Sequence, residues 1–218
     1  MKPFISTLFI FLLSCFAMGA LADDASSSSS SESSASSEAR VYKTTDVVLH
    51  TALGDIKMQI EVERAPITAR NFLRYVDQKR FDGMVFYRAV KVGDTGEYGL
   101  AQGGLHFHPE KLLKPIAHEP TNVTGLSHVS GAVSMARLAP GTATAEFFIV
   151  LGDLTSLDAT PGGDGDAAAG YAVFGHVTEG MDVVKKILGQ RCSDSGDGFT
   201  QGQMIKSPVK VSSVRRVE

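Results

Sequence analysis

The segment SMARLAPGTATAEFFIV, residues 134–150, contains two short apolar runs separated by a connection that includes Pro140 and Gly141. The first run predicts a strand over residues 131–135, and the second predicts a strand over Phe147–Leu151. Pro and Gly are typical of turns and loops, so the connection marks the boundary between the two strands. The segment therefore indicates short β-strands, and the flanking sequence extends that pattern in both directions.

Upstream of this segment, apolar and polar residues alternate as they do in half-buried strands. Ile56, Met58 and Ile60 alternate with polar neighbours. The Gly-Asp pair at residues 54–55 suits the turn of a hairpin whose first strand contains residues 47–49. Four further strands are predicted over residues 84–90, 100–102, 172–177 and 209–217.

Two segments have the periodicity of amphipathic helices. Pro66 suits a first helical turn, and apolar residues follow it at helical spacing as far as Val76. The second helix is predicted over Met181–Leu188, with Gly189 as its end. Many short strands with two helices are typical of a closed antiparallel barrel, because closure leaves no strand edge exposed. The predicted fold class is therefore mainly β.

Composition limits the classes of function. The chain has 218 residues, of which 43% are hydrophobic and 21% charged, so it can bury a core and is not wholly disordered. A formal net charge of −3 provides no electrostatic footprint for nucleic acid. The two cysteines, Cys15 and Cys192, are too few for a disulfide framework.

The N-terminus has the features of an export signal. Lys2 precedes a short apolar run, and the triplet Ala-Leu-Ala at 20–22 forms a small-residue cleavage site, so residues 1–22 predict a signal peptide. The sequence Leu-Leu-Ser-Cys ending at Cys15 also resembles a lipobox, and lipidation there is the alternative. The apolar residues after Cys15 suit a continuing signal core better. We therefore expect a periplasmic protein, anchored to the membrane only if Cys15 is lipidated.

The next segment separates the signal from the folded part. Residues 23–40, DDASSSSSSESSASSEAR, contain no large apolar residue and predict a flexible Ser-rich linker. Residues 41–218 then predict one folded domain of ordinary size.

Three groups of motifs, in a fixed order along the folded part, point to a known family. They are Phe86-Tyr87-Arg88 with Gln102-Gly103-Gly104, Ser134-Met135-Ala136-Arg137 with Glu146-Phe147-Phe148-Ile149, and Tyr171-Ala172-Val173-Phe174-Gly175. Over residues 47–217 the chain resembles the cyclophilin-type peptidyl-prolyl cis-trans isomerases, and most closely their bacterial periplasmic branch. The resemblance implies an eight-stranded antiparallel β-barrel capped by two α-helices, with a proline-binding groove on its outer face.

The resemblance also implies a set of functional residues and no cofactor. The implied catalytic residues are Arg88, Gln102 and Phe148, and the implied substrate-binding residues are Leu100, Ala136, Leu157 and Tyr171. Rotation about an X–Pro bond has a barrier of about 20 kcal/mol because of amide resonance. An arginine can donate a hydrogen bond to the prolyl nitrogen in the twisted state, a glutamine can hold the peptide carbonyl, and apolar side chains can hold the ring. No nucleophile and no metal is needed.

Departures from the family pattern keep a second hypothesis open. Thirteen residues separate Arg88 from Gln102, a longer connection than the family usually has. Gly99 replaces the usual aromatic residue, although the neighbouring Tyr98 could substitute for it. Ser156 stands at the apparent position of the pocket tryptophan, and a second insertion, residues 159–170, lengthens a loop beside the groove. The alternative is a catalytically weak module of the same fold that binds proline peptides.

The expected partners are proline-containing segments of unfolded or flexible exported proteins, and the expected oligomeric state is a monomer. Four histidines within 23 residues also raise the hypothesis of regulation by a metal ion. No cysteine accompanies them and no helix places two of them one turn apart, so histidines in loops are the favoured interpretation. They are His106, His108, His118 and His128.

Overall fold

The computed structural model describes residues 40–217 except 94–96 and 195–197. The predicted signal peptide, the cysteine of the lipobox and nearly all of the predicted linker lie in residues 1–39, outside the described residues. Within the described part of the chain, every helix is too short or too polar to cross a bilayer.

Eight strands form one closed barrel in which all neighbouring pairs are antiparallel. They are β1 (Thr45–Thr51), β2 (Gly54–Ile60), β3 (Val85–Val92), β4 (Tyr98–Gly104), β5 (Ala132–Met135), β6 (Phe147–Leu151), β7 (Ala172–Glu179) and β8 (Met204–Arg216). Their order around the barrel is β1-β2-β7-β5-β6-β4-β3-β8, and β8 pairs with β1 to close it. The predicted fold class is confirmed, and closure pairs both edges of each strand.

Two expectations about the strands need correction. β8 begins at Met204, five residues before the predicted start. The first hairpin turns at Ala52 and Leu53, because Thr51 pairs with Gly54 and its hydroxyl donates to the carbonyl oxygen of Gly54 at 2.6 Å. The Gly-Asp pair therefore begins β2. The hydroxyl of Thr51 closes the turn, a contact that the usual turn residues do not reveal.

Both predicted helices are confirmed, and among the described residues two single-turn helices accompany them. The four are α1 (Pro66–Asp77), α2 (Thr121–Thr124), α3 (Gly165–Ala168) and α4 (Met181–Leu188). The N-terminus of α1 has no cap from its own flanking side chain. Instead, the buried carboxylate of Glu119 accepts hydrogen bonds from the backbone amides of Ile67 and Thr68 at 3.0 and 2.6 Å. A remote loop thus satisfies the free amides of the first turn.

The two long helices pack against the barrel and complete its core. On α1, the ring of Phe72 meets those of Phe81, Phe147 and Phe174 at centroid distances of 5.1 to 5.5 Å. α4 contributes four buried apolar residues and contacts β2, β3, β4 and β6. Since side chains alternate along a strand, Phe147 lies in the main core, whereas Phe148 joins a smaller apolar cluster on the outer face.

Candidate functional site

Three predicted residues form a continuous row across the outer face of the barrel. Arg88 on β3 pairs with Gln102 on β4, and Gln102 pairs with Phe148 on β6. The row continues to Ser134 on β5. Paired positions in a sheet place their side chains on the same face, so the register brings together residues that are far apart in the chain. A register shift just before Arg88 belongs to this geometry.

The first three residues of the row, Arg88, Gln102 and Phe148, face a cleft with a volume of about 720 Å³. The structure brings all seven predicted site residues together in its lining: Arg88, Leu100, Gln102, Ala136, Phe148, Leu157 and Tyr171. A cleft of this size fits a ligand larger than one proline ring. Sequence reasoning did not identify the remaining lining residues, which are Val90, Arg137, Leu138, Thr142, Thr144, Glu146 and Phe199.

The guanidinium of Arg88 is half-buried and held by two glutamines. Its Nη1 donates to Oε1 of Gln102 at 2.9 Å, while its Nε and Nη2 donate to Oε1 of Gln203 at 2.8 and 2.6 Å. Burial lowers the pKa of Arg88, yet a guanidinium keeps its charge at neutral pH. Within the described residues, the guanidinium donates hydrogen bonds to the neutral amides of Gln102 and Gln203.

A chain of partly buried hydrogen bonds fixes the orientation of Gln102. The Tyr87 hydroxyl donates its single proton to Oε2 of Glu146 at 2.6 Å, so its oxygen accepts from Nε2 of Gln102 at 2.7 Å. The amide oxygen of Gln102 is thereby directed toward Arg88. Burial, followed by the charge of Glu146, raises the pKa of Tyr87 well above its ordinary value. Burial also raises the pKa of Glu146.

The apolar part of the cleft is built around Phe148. The ring of Tyr171 stands edge-on to that of Phe148, with centroids 5.5 Å apart. Leu100, Ala136 and Leu157 pack against the same outer cluster. These side chains form an apolar pocket beside the charged guanidinium, which is the combination that the sequence predicts for a bound prolyl residue.

A fully buried histidine supports this pocket from behind. The ring of His128 stacks on Phe148 at 5.8 Å. Because an ionised carboxylate can only accept a hydrogen bond, Nδ1 of His128 is protonated and donates to Asp158 at 2.5 Å. Nε2 of the same ring accepts from the Ser134 hydroxyl at 2.9 Å. Burial lowers the pKa of His128, although the contact with Asp158 opposes that effect. Ser134 is itself fully buried, so this serine-histidine-aspartate chain faces no substrate.

The glycine at position 99, in place of the usual aromatic residue, has a steric cause. Gly99 has a φ of +146°, and a Cβ there would lie 1.9 Å from the carbonyl oxygen of Val90, so an aromatic residue cannot occupy this backbone position. Tyr98 does not substitute for it, because its ring packs over Gly152 and does not line the cleft. Ser156 is exposed on the 3₁₀ turn Thr155–Leu157 and is likewise absent from the cleft lining.

The second insertion lies beside the cleft and leaves it open. Residues 159–170, all within the described part of the chain, contribute no side chain to the lining. Arg137 holds the end of this loop, since its guanidinium donates to the carbonyl oxygens of Asp166 and Gly170 at 2.6 and 2.5 Å. The same guanidinium lies over the ring of Tyr171 at 5.0 Å. The loop is therefore tied to the rim of the site.

The four histidines singled out in the sequence do not share a metal site in the described part of the chain. Within the described ranges, no three metal-ligating side chains are grouped closely enough to hold an ion. Each histidine has its own neighbour: His106 stacks on Tyr87, His108 contacts Glu110, His118 donates to the carbonyl oxygen of Ala169, and His128 contacts Asp158.

Comparisons with known proteins show which family the chain is similar to. The family model described as cyclophilin type peptidyl-prolyl cis-trans isomerase/CLD matches residues 46–216. A peptidyl-prolyl cis-trans isomerase of Acinetobacter baylyi is 34% identical over 180 residues, covering 81% of this chain and 88% of the relative. Peptidyl-prolyl cis-trans isomerase B of Escherichia coli is 37% identical over 155 residues, covering 69% and 88%.

The fold has a counterpart among solved structures. A cyclophilin type peptidyl-prolyl cis-trans isomerase of Cryptosporidium parvum, crystallised in the presence of the dipeptide Ala-Pro, superposes with a TM-score of 0.63 at 18% identity. The match covers 79% of this chain and 99% of that one, and at this identity it speaks for the fold alone. The family model and the two bacterial relatives carry the assignment further: this chain belongs to the cyclophilin-type peptidyl-prolyl cis-trans isomerase family.

Proposed function

We propose that this chain catalyses cis-trans rotation of X–Pro bonds in unfolded or flexible segments of exported proteins, acting as a monomer in the periplasm. The observation that carries the catalytic part is the cross-strand row of Arg88, Gln102 and Phe148 on one cleft. The features of residues 1–22 support export.

Arg88 supplies the electrostatic part of catalysis. In the planar X–Pro bond the nitrogen lone pair is delocalised, and it becomes a hydrogen-bond acceptor only when the bond twists. A guanidinium beside the prolyl nitrogen therefore stabilises the twisted state more than the planar one, which is the condition for catalysis. The half-buried position of Arg88 strengthens this interaction, because little water competes for the charge.

Gln102 and the apolar pocket supply positioning. Nε2 of Gln102 uses one hydrogen for Tyr87 and keeps the second for the carbonyl oxygen of the residue before proline. Phe148, Leu157 and Tyr171 hold the pyrrolidine ring by burying its apolar surface. With the ring fixed and the carbonyl guided, the bond between them is the part that rotates.

The test of this function compares Arg88→Ala with wild type on the tetrapeptide Ala-Ala-Pro-Phe. We expect kcat/KM for isomerisation to fall by about 10²–10³, as when one preorganised donor is removed from an active site. The matched control is Arg70→Ala, which removes an exposed arginine of α1 outside the cleft and should turn over at the wild-type rate. Equal rates for wild type and Arg88→Ala would refute turnover by this site.

The same assay decides between catalysis and binding alone. The exposure of Ser156 and the glycine at position 99 favour a weaker pocket than the family usually has. Saturable binding of the tetrapeptide by wild type, with no increase in its isomerisation rate, would support the peptide-binding module in place of the enzyme.

Export has its own measurement. Mass spectrometry of the mature protein from the periplasm should show an N-terminus at Asp23, as cleavage after Ala22 requires. A lipidated N-terminus at Cys15 would instead establish membrane anchoring. Size-exclusion chromatography of the mature protein tests the monomer.

A further inference from the structure

We propose that Gln203 is a positioning residue for Arg88, and that its neutral amide oxygen orients the guanidinium while preserving its full charge for the substrate. This inference rests on the proposed role of Arg88 in catalysis. Gln203 lies on a turn, far along the chain from the sequence motifs of the site.

The sheet places Gln203 beside Arg88. Strand β3 lies between β4 and β8, and Arg88 pairs with Gln102 on one side and with Met204 on the other. Gln203 immediately precedes Met204, and its carbonyl oxygen accepts from the backbone amide of Ala89 at 2.9 Å. The backbone of Gln203 is therefore fixed to the strand that carries the arginine. The guanidinium lies between two glutamine side chains, one on β4 and one on the turn that leads into β8.

The hydrogen-bond pattern leaves two donors of Arg88 for a substrate. A guanidinium has five N–H groups in a rigid plane. Gln203 Oε1 takes the hydrogens of Nε and of one Nη2 position, and Gln102 Oε1 takes one hydrogen of Nη1. One hydrogen on each Nη atom is left without a recorded partner among the described residues. Two short bonds to a single oxygen fix the plane of the guanidinium, and the two remaining donors are aimed by that plane.

The chemistry of the partner matters as much as its position. A carboxylate at position 203 would accept the same two hydrogens, but its charge would compensate that of Arg88. An amide oxygen carries only a partial charge, so the guanidinium retains its full attraction for the nitrogen lone pair that forms during rotation. Gln203 therefore provides geometry without neutralisation.

A second residue of the same turn covers the guanidinium. The Phe199 ring, on the 3₁₀ turn Gly198–Thr200, lies 5.3 Å from Cζ of Arg88 and also lines the cleft. The face of an aromatic ring attracts a cation without cancelling its charge. Residues 198–203 thus contact Arg88 both at an edge and on a face, through one amide and one ring.

The experiment uses two substitutions at one position in the full mature chain. Gln203→Met keeps the length of the side chain and removes the acceptor, whereas Gln203→Glu keeps the acceptor and adds a compensating charge. The matched control is Gln201→Met, an exposed glutamine of the same turn. Exchange NMR with Ala-Ala-Pro-Phe yields the rate of isomerisation on the enzyme and the Kd separately. Hydrogen exchange of the Arg88 Nε–H reports whether the contact is present.

We expect Gln203→Met to lower the rate on the enzyme by about tenfold with Kd changed less than about twofold, and to accelerate exchange of the Arg88 Nε–H. We expect Gln203→Glu to lower the rate as well while the Nε–H remains protected. General destabilisation would not lower the rate in both variants while the Arg88 Nε–H is protected in one and exposed to exchange in the other. Thermal melting of all three variants measures their stability independently.

Several results would overturn the inference. Wild-type turnover in Gln203→Met would show that the arginine needs no such support, and wild-type turnover in Gln203→Glu would show that its uncompensated charge is irrelevant. If wild type itself does not isomerise the peptide, the proposed function fails. In that case the hydrogen-exchange rate of the Arg88 Nε–H still tests the contact with Gln203. Equal exchange rates in wild type and Gln203→Met would show that Gln203 does not hold the guanidinium.

Discussion

Tyr87 shows how one hydroxyl can set the orientation of a neighbouring side chain. Its proton goes to Glu146, so its oxygen must accept from Gln102, and the amide oxygen of Gln102 must then face Arg88. The amide of a glutamine is nearly symmetric in shape, and only its partners distinguish the two orientations. In this molecule the carboxylate of Glu146 determines which end of Gln102 meets the arginine.

Removing that hydroxyl should affect activity and stability together. In Tyr87→Phe, Glu146 loses one of its donors and Gln102 loses the acceptor that orients it. We expect kcat/KM to fall about tenfold and the free energy of unfolding to drop by about 1–3 kcal/mol, the cost of unpaired buried polar groups. Peptide isomerisation and urea denaturation measure the two effects. Tyr98→Phe, which removes a hydroxyl outside the cleft, is the control and should change neither quantity.

Some residues of this site can be predicted from sequence motifs, and others cannot. Arg88, Gln102 and Phe148 are identified in the sequence because each lies inside a motif with a recognisable order. Gln203 and Phe199 belong to a turn without periodicity, and their contact with Arg88 depends on the pairing of β3 with β8. Glu146 carries a signal that alternation could have supplied, since it lies two residues before Phe148 and shares its face.

At the scale of elements, β4 keeps its pairing with β3 although the connection between the two strands is longer than usual. The connection between β3 and β4 is lengthened, yet Gln102 still pairs with Arg88. Gly99 makes the close approach of the two strands possible, because the space of its missing side chain is occupied by the carbonyl group of Val90. The pairing of the two strands is therefore continuous from Val92 and Tyr98 to Arg88 and Gln102.

A side chain at Gly99 should disturb this pairing. Gly99→Ala combines a strained φ with a direct clash, and we expect it to lower the free energy of unfolding by about 2–4 kcal/mol in urea denaturation. Gly93→Ala is the matched control, because Gly93 also has a positive φ of 74° but a Cβ added there would meet no atom within 4 Å. That control should cost about 1 kcal/mol. Equal losses in both variants would contradict the role given to the Val90 carbonyl.

Elements with regular periodicity are predicted from the sequence, whereas short elements and strand ends are not. α1 and β2 reveal themselves because their buried positions recur at spacings of 3.6 and 2. α2 and α3 are single turns and show no period. The start of β8 at Met204 depends on its partner β3, and the cap of α1 by Glu119 joins positions some fifty residues apart. Such long-range contacts leave no local pattern.

At the scale of the whole molecule, the apolar side chains that fill the barrel and those that form the cleft belong to two different clusters. Its interior is filled by the main core, while the outer apolar cluster with Phe148 belongs to the cleft and rests on His128. His128 joins Ser134 on β5 to Asp158 in the loop that carries Leu157. The pocket is therefore backed by a neutral, buried imidazole, which links β5 to that loop.

This link predicts a dependence of stability on pH. The unfolded chain takes up a proton on His128 near pH 6.5, whereas burial delays that uptake in the folded state to lower pH. Below about pH 6.5 the unfolded state therefore binds more protons than the folded state. The free energy of unfolding should decrease as the pH is lowered through this range, by at most about 1.4 kcal/mol per pH unit from this group. Above that range its contribution is complete.

Urea denaturation at pH 7.5 and pH 5.0 measures this effect. The decrease between the two pH values should be smaller in His128→Gln, which has no imidazole to protonate. His50→Gln, on β1 and outside the cleft, controls for the loss of a histidine elsewhere on the barrel. A decrease of the same size in wild type and His128→Gln would assign the pH dependence to other groups.

The cleft lies on the outer wall of the barrel, and its lining includes Leu138 and Phe199, residues that are 85% and 72% exposed. A polypeptide can lie across such a wall and continue into solvent in both directions, so it does not have to be threaded by one of its ends. A proline in the middle of a partly folded client is then as accessible as one near a terminus. This architecture suits an enzyme that meets its substrates while the rest of their chain is already acquiring structure.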